Sequence, residues 1–327
     1  MIVSIKKECS FNYWYLHIQE FCIPSVVIDI PEEVVKFLLQ DGVVLPEEVT
    51  SDITDLLSNE NDCTDGIYWC SIDDSNDEIK PPTFPDFSKN IQEKLNYLGG
   101  SVFIKLNWSA PTDAAWITSS KTLRCQNLED IYLLLKSSIK VTKDLQFLTC
   151  DSKEKSKINP LLVLKKWVDI LPGTEFRCFI ANHCLIAISQ RDCEYHSYLN
   201  QTKVEVIQDI HSFFNTNLKG KLNMENYVLD ILRISQGNLV VLDVGLFKPN
   251  ETNALLFDWE KLLKMKDSFE LCNNIEPEFR YIGEPMGIQP NFGNHVGIPQ
   301  DVKLLADKYK GLSLMDIIQI EVNLQNT

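Results

Sequence analysis

Two aspartates on either side of a short turn constrain this chain more than any other feature. Asn226 to Ser235 (NYVLDILRIS) is followed by Gln236 and Gly237, then by Asn238 to Asp243 (NLVVLD). Apolar and β-branched runs around a glycine-containing pair predict a β-hairpin. With Gln236 and Gly237 as the loop, Ser235 pairs with Asn238 and Asp230 lies opposite Asp243. Residues so opposed share a face, with Cβ atoms about 4.5–5.5 Å apart. Two ionised carboxylates held there among Val, Leu and Ile repel each other and lose hydration. A divalent cation bound by hard oxygen ligands would compensate. An Arg or Lys partner such as Arg233, one shared proton, or a one-residue slip of register would also remove the conflict. On the hairpin alone all four stay open.

The bulk numbers narrow the classes. A chain of 327 residues with 44% hydrophobic and 24% charged residues can bury a large core, as two domains or one α/β unit. No run of about 18 apolar residues is present, so no membrane-spanning helix is expected. Residues 1–24 lack the apolar stretch and small-residue cleavage site of a secretory signal, so a cytoplasmic protein is expected. Ten cysteines include no Cys-x-x-Cys pair and no zinc-ligand spacing with His, and read as free thiols. The net charge of −15, from 31 basic and 46 acidic residues, argues against nucleic acid as a partner. The acid is concentrated. Between Lys36 and Lys80 there is no Lys or Arg but there are twelve Asp or Glu, with Tyr68 and Trp69 among them. Such a stretch is a solvated loop or a docking surface for a basic protein.

Along the chain, strands are expected at 26–30, 101–106, 161–168, 175–180 and 184–190, ahead of the hairpin. Helices are expected at 31–40, 45–57, from Asp86 or Ser88 to Gly99, then at 128–136, 204–215, 258–265, 301–308 and 314–323. The polar run 153–159 divides an N-terminal lobe, 1–158 with its acidic loop at about 58–80, from a C-terminal lobe, 159–327. The class is α+β, with a largely antiparallel sheet in the second half.

Neither common phosphate loop is present, and no hydrolase nucleophile motif occurs. What stands out is a series of cations ahead of the acid pair: Lys105 on an apolar strand, Lys165 and Lys166 ending another, and Arg177 in EFRCF. Singly, these read as edge charges or as partners of Glu175. Together they match what a nucleoside triphosphate requires. Cations hold phosphate oxygens, and carboxylates hold the Mg²⁺ bridging them. The order Lys, Lys plus hinge, Arg, Asp, Asp resembles the ATP-grasp arrangement, in which two lobes clamp ATP.

Longer blocks carry a closer resemblance. Residues 99–114 (GGSVFIKLNWSAPTDA), 162–167 (LVLKKW), 170–179 (ILPGTEFRCF), 188–192 (ISQRD) and 255–259 (LLFDW) resemble motifs of the cell division cycle protein 123 family, within a match from Cys9 to about Asp301. The resemblance implies an ATP-grasp-like fold binding ATP with Mg²⁺. It also implies a role in assembling the heterotrimeric eukaryotic translation initiation factor two through its gamma subunit. Lys105 and Arg177 would contact phosphate, with Trp108, Ala110 and Asp113 in the same nucleotide-facing block. Lys165, Lys166, Trp167 and Val168 would supply the second lysine and the adenine hinge. Asp230 and Asp243 would coordinate Mg²⁺.

One departure stands at the metal. The family reads Asp-Phe-Asn-Pro-Phe where this chain has Asp243-Val-Gly-Leu-Phe247, and the following loop is one residue longer here. Gly245, two residues beyond Asp243 on the same face, cannot supply the oxygen of that Asn. Ile104 likewise replaces a Pro of the family. The expected protein is an ATP-binding assembly chaperone acting through protein contact rather than turnover. The alternatives are an ATP-grasp ligase or kinase, and a degenerate paralogue with weakened Mg·ATP binding.

Overall fold

β3 (Leu161–Lys166) sits at the centre of a three-stranded sheet, between β1 (Ser25–Asp29) and β2 (Val102–Lys105), and both neighbours run antiparallel to it. Leu161 to Lys165 are all buried, as a strand covered on both faces requires. The chain is seen in a computed structural model that describes residues 6–42, 44–49, 81–118, 120–150, 158–268 and 276–285. The acidic stretch 58–80, the linker residues 153–157, most of the helix expected at 45–57 and the helices expected at 301–308 and 314–323 lie outside the described residues.

One face of the first sheet packs on four helices: α2 (Glu32–Leu39), α3 (Pro85–Tyr97), α4 (Leu128–Ser137) and α5 (Ile139–Thr149). Val34, Phe37, Ile91, Leu95, Ile131, Tyr132 and Leu145 meet Ile104, Leu162 and Leu164 there. Local chemistry marks where these helices begin. Asn127 accepts from Asp130 N at 2.8 Å before α4, and Ser138 accepts from Val141 N at 3.2 Å before α5, each satisfying an orphan amide. The expected cap of α3 is replaced. Pro85 opens the helix, while the Ser88 hydroxyl lies inside, 2.9 Å from Tyr132 Oη. Proline is suited to the first helical position because its missing N–H has no helical partner there.

The second sheet has the order β7-β6-β4-β5-β8, with β4 (Glu175–Ala181), β5 (Cys184–Gln190), β6 (Tyr227–Ser235), β7 (Asn238–Leu246) and β8 (Glu278–Arg280). Every pairing is antiparallel except β5 with β8. α6 (Ser197–Phe213) covers one face, with Val206, Ile210 and Phe213 against Phe176, Leu229 and Ile231. The loop before α7 (Trp259–Ser268) covers part of the other, where Ala254 and Phe257 meet Phe179 and Val228.

The two sheets draw on both halves of the chain. β3, which the sequence assigns to the second lobe, is the middle strand of the first sheet. α1 (Phe11–Ile18), from the N-terminal end, packs into the core of the second sheet through Phe11, Trp14 and Ile18. Cys22 extends this crossing by bridging to Val241 on edge strand β7. Thus the N-terminal segment and β3 join the two sheets. Among the described residues, no helix is long and apolar enough to cross a membrane.

Candidate functional site between the two sheets

Asp230 faces Asp243 across the hairpin, as the turn predicts, and Ser235 pairs with Asn238. The ladder between them is not regular. The register shifts once between Arg233 and Ser235 and again between Asp230 and Ile231. The first bulge adds Ile234 to β6 and the second adds Leu242 to β7, so the two slips cancel. The second has a chemical use, because the carbonyl of the bulged Leu242 accepts a hydrogen bond from Lys165 Nζ.

The carboxylates are compensated by cations from three strands and a strand end. Lys105, at the end of β2, donates to Asp243 Oδ1 and Oδ2 at 2.5 and 2.7 Å. Arg177 lies beside Asp230 in the β4–β6 register, and its Nε and Nη2 form a fork on that carboxylate at 2.7 and 2.8 Å. Arg191, just past β5, gives Asp230 a further contact of 3.0 Å through Nη1 and reaches Glu175 through Nε at 2.9 Å. Arg233, the partner weighed from sequence, turns away to Asp209 at 2.7 Å. Lys105 and Lys165 share a face of the first sheet, since Lys165 pairs with Phe103 and Lys105 with Val163. Both ammonium groups stand over the Phe11 ring, at 5.8 and 5.5 Å. They cross from one sheet to the other on an aromatic support.

Asp230, Lys165 and Glu175 are each shifted from their ordinary values. Burial alone would raise the Asp230 carboxyl, but Arg177 and Arg191 override it and hold it at about 2. Burial pushes the Lys165 ammonium down to about 8, with Asp243 opposing. Glu175 is raised by burial against the pull of Arg191. Burial also drives the Cys9 and Cys22 thiols up to about 12, which keeps them protonated and unreactive. Four cations (Lys105, Lys165, Arg177, Arg191) thus meet three carboxylates (Asp230, Asp243, Glu175), one positive charge in excess. Such a set suits an anion arriving with its own cation.

The other expected residues are placed differently. Trp108 packs on Phe147 and donates Nε1 to Lys6 O at 2.7 Å. The Ala110 carbonyl accepts from Thr112 N at 2.8 Å, within the turn that follows β2. Asp113 sits at the start of α5, accepting from Ser138 Oγ at 2.6 Å and Ile139 N at 2.9 Å. This block holds the loop after Lys105, and none of the three joins the carboxylate cluster through a recorded contact. Lys166 is exposed while Trp167 and Val168 are half-buried. The Lys166 amide donates to Pro24 O and that of Trp167 to Ser101 O, at 2.9 and 3.0 Å. Those bonds fix the segment leaving β3.

Arg191 is a site residue that the sequence reading passed over. It lies outside a regular strand, and its link to Asp230 exists only once β4, β5 and β6 lie side by side. The ISQRD block was its available signal.

For a metal, the chain offers two opposed carboxylates and little more. Among the described residues, no group of three or more His, Cys, Asp or Glu is placed to hold an ion. Two carboxylates fit a Mg²⁺ that arrives on phosphate oxygens, because that ion keeps waters and commonly takes one or two protein carboxylates. They fit a permanently held metal poorly. Gly245 is open above the strand, where a Cβ would meet Thr252 Oγ1 at 3.6 Å and nothing closer. A cleft of about 420 Å³ lies alongside, lined in part by Thr252, Asn253 and Trp259. It adjoins the cluster through Arg177 Nη1, which donates to Asn253 O at 2.8 Å.

Comparisons with known proteins agree with one another. A family model described as D123 matches residues 14–305. A Xenopus tropicalis protein named translation initiation factor eIF2 assembly protein is 37% identical over 336 residues, covering 98% of this chain and 99% of that protein. One of the same name from Dictyostelium discoideum is 31% identical over 373 residues, covering 98% and 96%. The solved structure of Cdc123 from Schizosaccharomyces pombe superposes with a TM-score of 0.66 at 29% identity, covering 85% of this chain and 96% of that one. The expected α+β class with a largely antiparallel second sheet is the one observed, and the fold is shared with that Cdc123 structure.

Proposed function

Because the chain belongs to the D123 family, we propose that it is an ATP-binding assembly factor for eukaryotic translation initiation factor two. It would dock on the gamma subunit and promote formation of the heterotrimer. The names of its relatives support the assembly role. The observation that carries nucleotide binding is the convergence of Lys105, Arg177 and Arg191 on Asp230 and Asp243 between the two sheets, with Lys165 on the adjoining Leu242 carbonyl.

Nucleotide binding in this reading is an exchange of partners. Lys105 and Arg177 would pass from carboxylate to phosphate oxygens, and Asp230 and Asp243 would hold the Mg²⁺ that accompanies the nucleotide. When bound, that cation would supply neutralisation of phosphate charge. No buried charge is left bare at either end of the exchange, which matters because an unpaired buried ion costs several kcal/mol. Lys165, Lys166, Trp167 and Val168 would border the base, and Trp108, Ala110 and Asp113 would shape the loop beside the phosphates. Since the cluster draws on both sheets, a nucleotide there would stiffen the whole protein as a docking body. The net charge of −15 suits a basic partner surface.

The test has two arms. Thermal unfolding with ATP and Mg²⁺ should show stabilisation following RT ln(1 + [L]/Kd), about 2.7 kcal/mol at a hundredfold excess over Kd. Capture of the isolated gamma subunit by the wild-type chain, weakened in Lys105→Ala, supports the assembly role. A protein insensitive to nucleotide contradicts the first arm, and failure to capture gamma contradicts the second.

A further inference from the structure

The face of β7 that carries Asp243 lacks a third protein oxygen on its own strand. The next pair along that face is Val228 with Gly245, and neither can ligate a cation. The oxygen that does stand there comes from the following loop. Thr252 Oγ1 is the nearest atom to the place where a side chain at Gly245 would begin, at 3.6 Å. Its position is tightly determined. The hydroxyl donates its proton to Leu246 O at 2.6 Å, and the Thr252 carbonyl accepts from Trp259 Nε1 at 2.8 Å. The Thr252 amide donates to Lys248 O at 3.2 Å. The next residue, Asn253, is fastened to Arg177.

The direction of the first of those bonds matters. A hydroxyl has one proton and two lone pairs, and here the proton is committed to a backbone carbonyl. The lone pairs are left as an acceptor beside Gly245, two residues along the same strand face from Asp243, which is the polarity a hard cation or its bound water requires. We propose that Thr252 supplies the oxygen that completes the Mg²⁺ site on this sheet face, directly or through one water, in the position that Gly245 leaves open. The inference rests on the reading of the cluster as a Mg·ATP clamp. It gives the loop 247–258 a role in selecting nucleotide that carries its metal over bare nucleotide.

The experiment is titration calorimetry of ATP in excess Mg²⁺ and, separately, in EDTA, on the full chain. The proteins are wild type, Thr252→Val and Thr252→Ser. Valine keeps the shape and removes the oxygen, whereas serine keeps the oxygen. The expected result is that Thr252→Val loses about tenfold of the Mg²⁺-dependent gain in affinity, leaves the EDTA affinity unchanged, and is matched by wild-type behaviour in Thr252→Ser. An equal fall in both media overturns the proposal, because it shows a loop displaced together with Arg177. An unchanged Mg²⁺ gain in Thr252→Val also overturns it. If wild type binds no ATP in either medium, it is the nucleotide reading itself that fails.

Discussion

Lys105 Nζ lies 2.5 and 2.7 Å from the two oxygens of Asp243, a residue 138 positions later in the chain and on the other sheet. The lysine side chain is almost fully buried, and about a third of the aspartate is exposed. This pair ties the edge of the first sheet to β7 of the second. It occupies the groups that a nucleotide and its metal would claim.

Breaking that pair from one side should cost more than removing it. Lys105→Met leaves Asp243 facing the sheet interface without its partner. We expect a loss of about 2 kcal/mol, the low side for a buried pair because Asp243 keeps some water. The double variant Lys105→Met/Asp243→Leu should recover most of it. Urea unfolding of the four proteins in the cycle measures this, and additive losses would refute it.

Acid should weaken the protein partly through Asp230. Its carboxyl is held at about 2 in the fold against 3.8 ordinarily, so the unfolded chain binds the proton more readily. The contribution is present above pH 4 and lost as pH falls from about 4 to 2. The shift corresponds to about 2 kcal/mol. Comparison of wild type with Asp230→Asn in urea should show a stability gap that is flat from pH 5 to 7 and narrows below pH 4.

Lys165 should act in the opposite range. Burial lowers its folded value to about 8 from 10.5, so between those values the unfolded chain binds more protons and stability rises with pH. Lys165→Met should flatten that rise between pH 8 and 10. Chemical denaturation across the interval provides the check; an identical slope in the variant would count against it.

Gly173 holds the loop between β3 and β4 in a conformation that an L side chain rarely adopts, with φ +78°. A Cβ there would stand 2.5 Å from His196 Cδ2, and His196 is fixed by Asp192 at 3.0 Å. Gly173→Ala should therefore destabilise by about 2 kcal/mol or more. Gly245→Asn should be benign, changing stability by no more than about 0.5 kcal/mol, because its added Cβ has only ordinary contact with Thr252. On the Thr252→Val background it should restore Mg²⁺-dependent ATP binding. Thermal melts and the same titration decide both.

The expected elements that fall within the described residues were legible where pattern and local chemistry agreed. Alternation around Arg177 marked β4, apolar and β-branched runs marked β5 and the hairpin, and the stripe of Val206, Ile210 and Phe213 marked α6. α1 was passed over although Phe11, Trp14, Tyr15 and Ile18 recur at helical spacing. Eight residues crowded with aromatics and opened by Ser10 without a side-chain cap bond give a weak local signal, and the core of the second sheet supplies their packing. α5 follows α4 after a single cap residue, Ser138, and no turn composition separates them. β8 has three residues and exists only because β5 offers an edge.

At the site, sequence alone determined which residues carry charge among apolar neighbours, and that Asp230 and Asp243 share a hairpin. It could not determine what compensates them, since Lys105, Arg177 and Arg191 lie 39 to 138 positions from the carboxylates they meet. Only the tertiary structure decided that. Packing brings the two sheets together around Phe11, and the Leu242 bulge turns a carbonyl to Lys165. Electrostatic compensation depends on distances of a few ångströms, whereas sequence patterns specify only the face of a strand on which a charge stands.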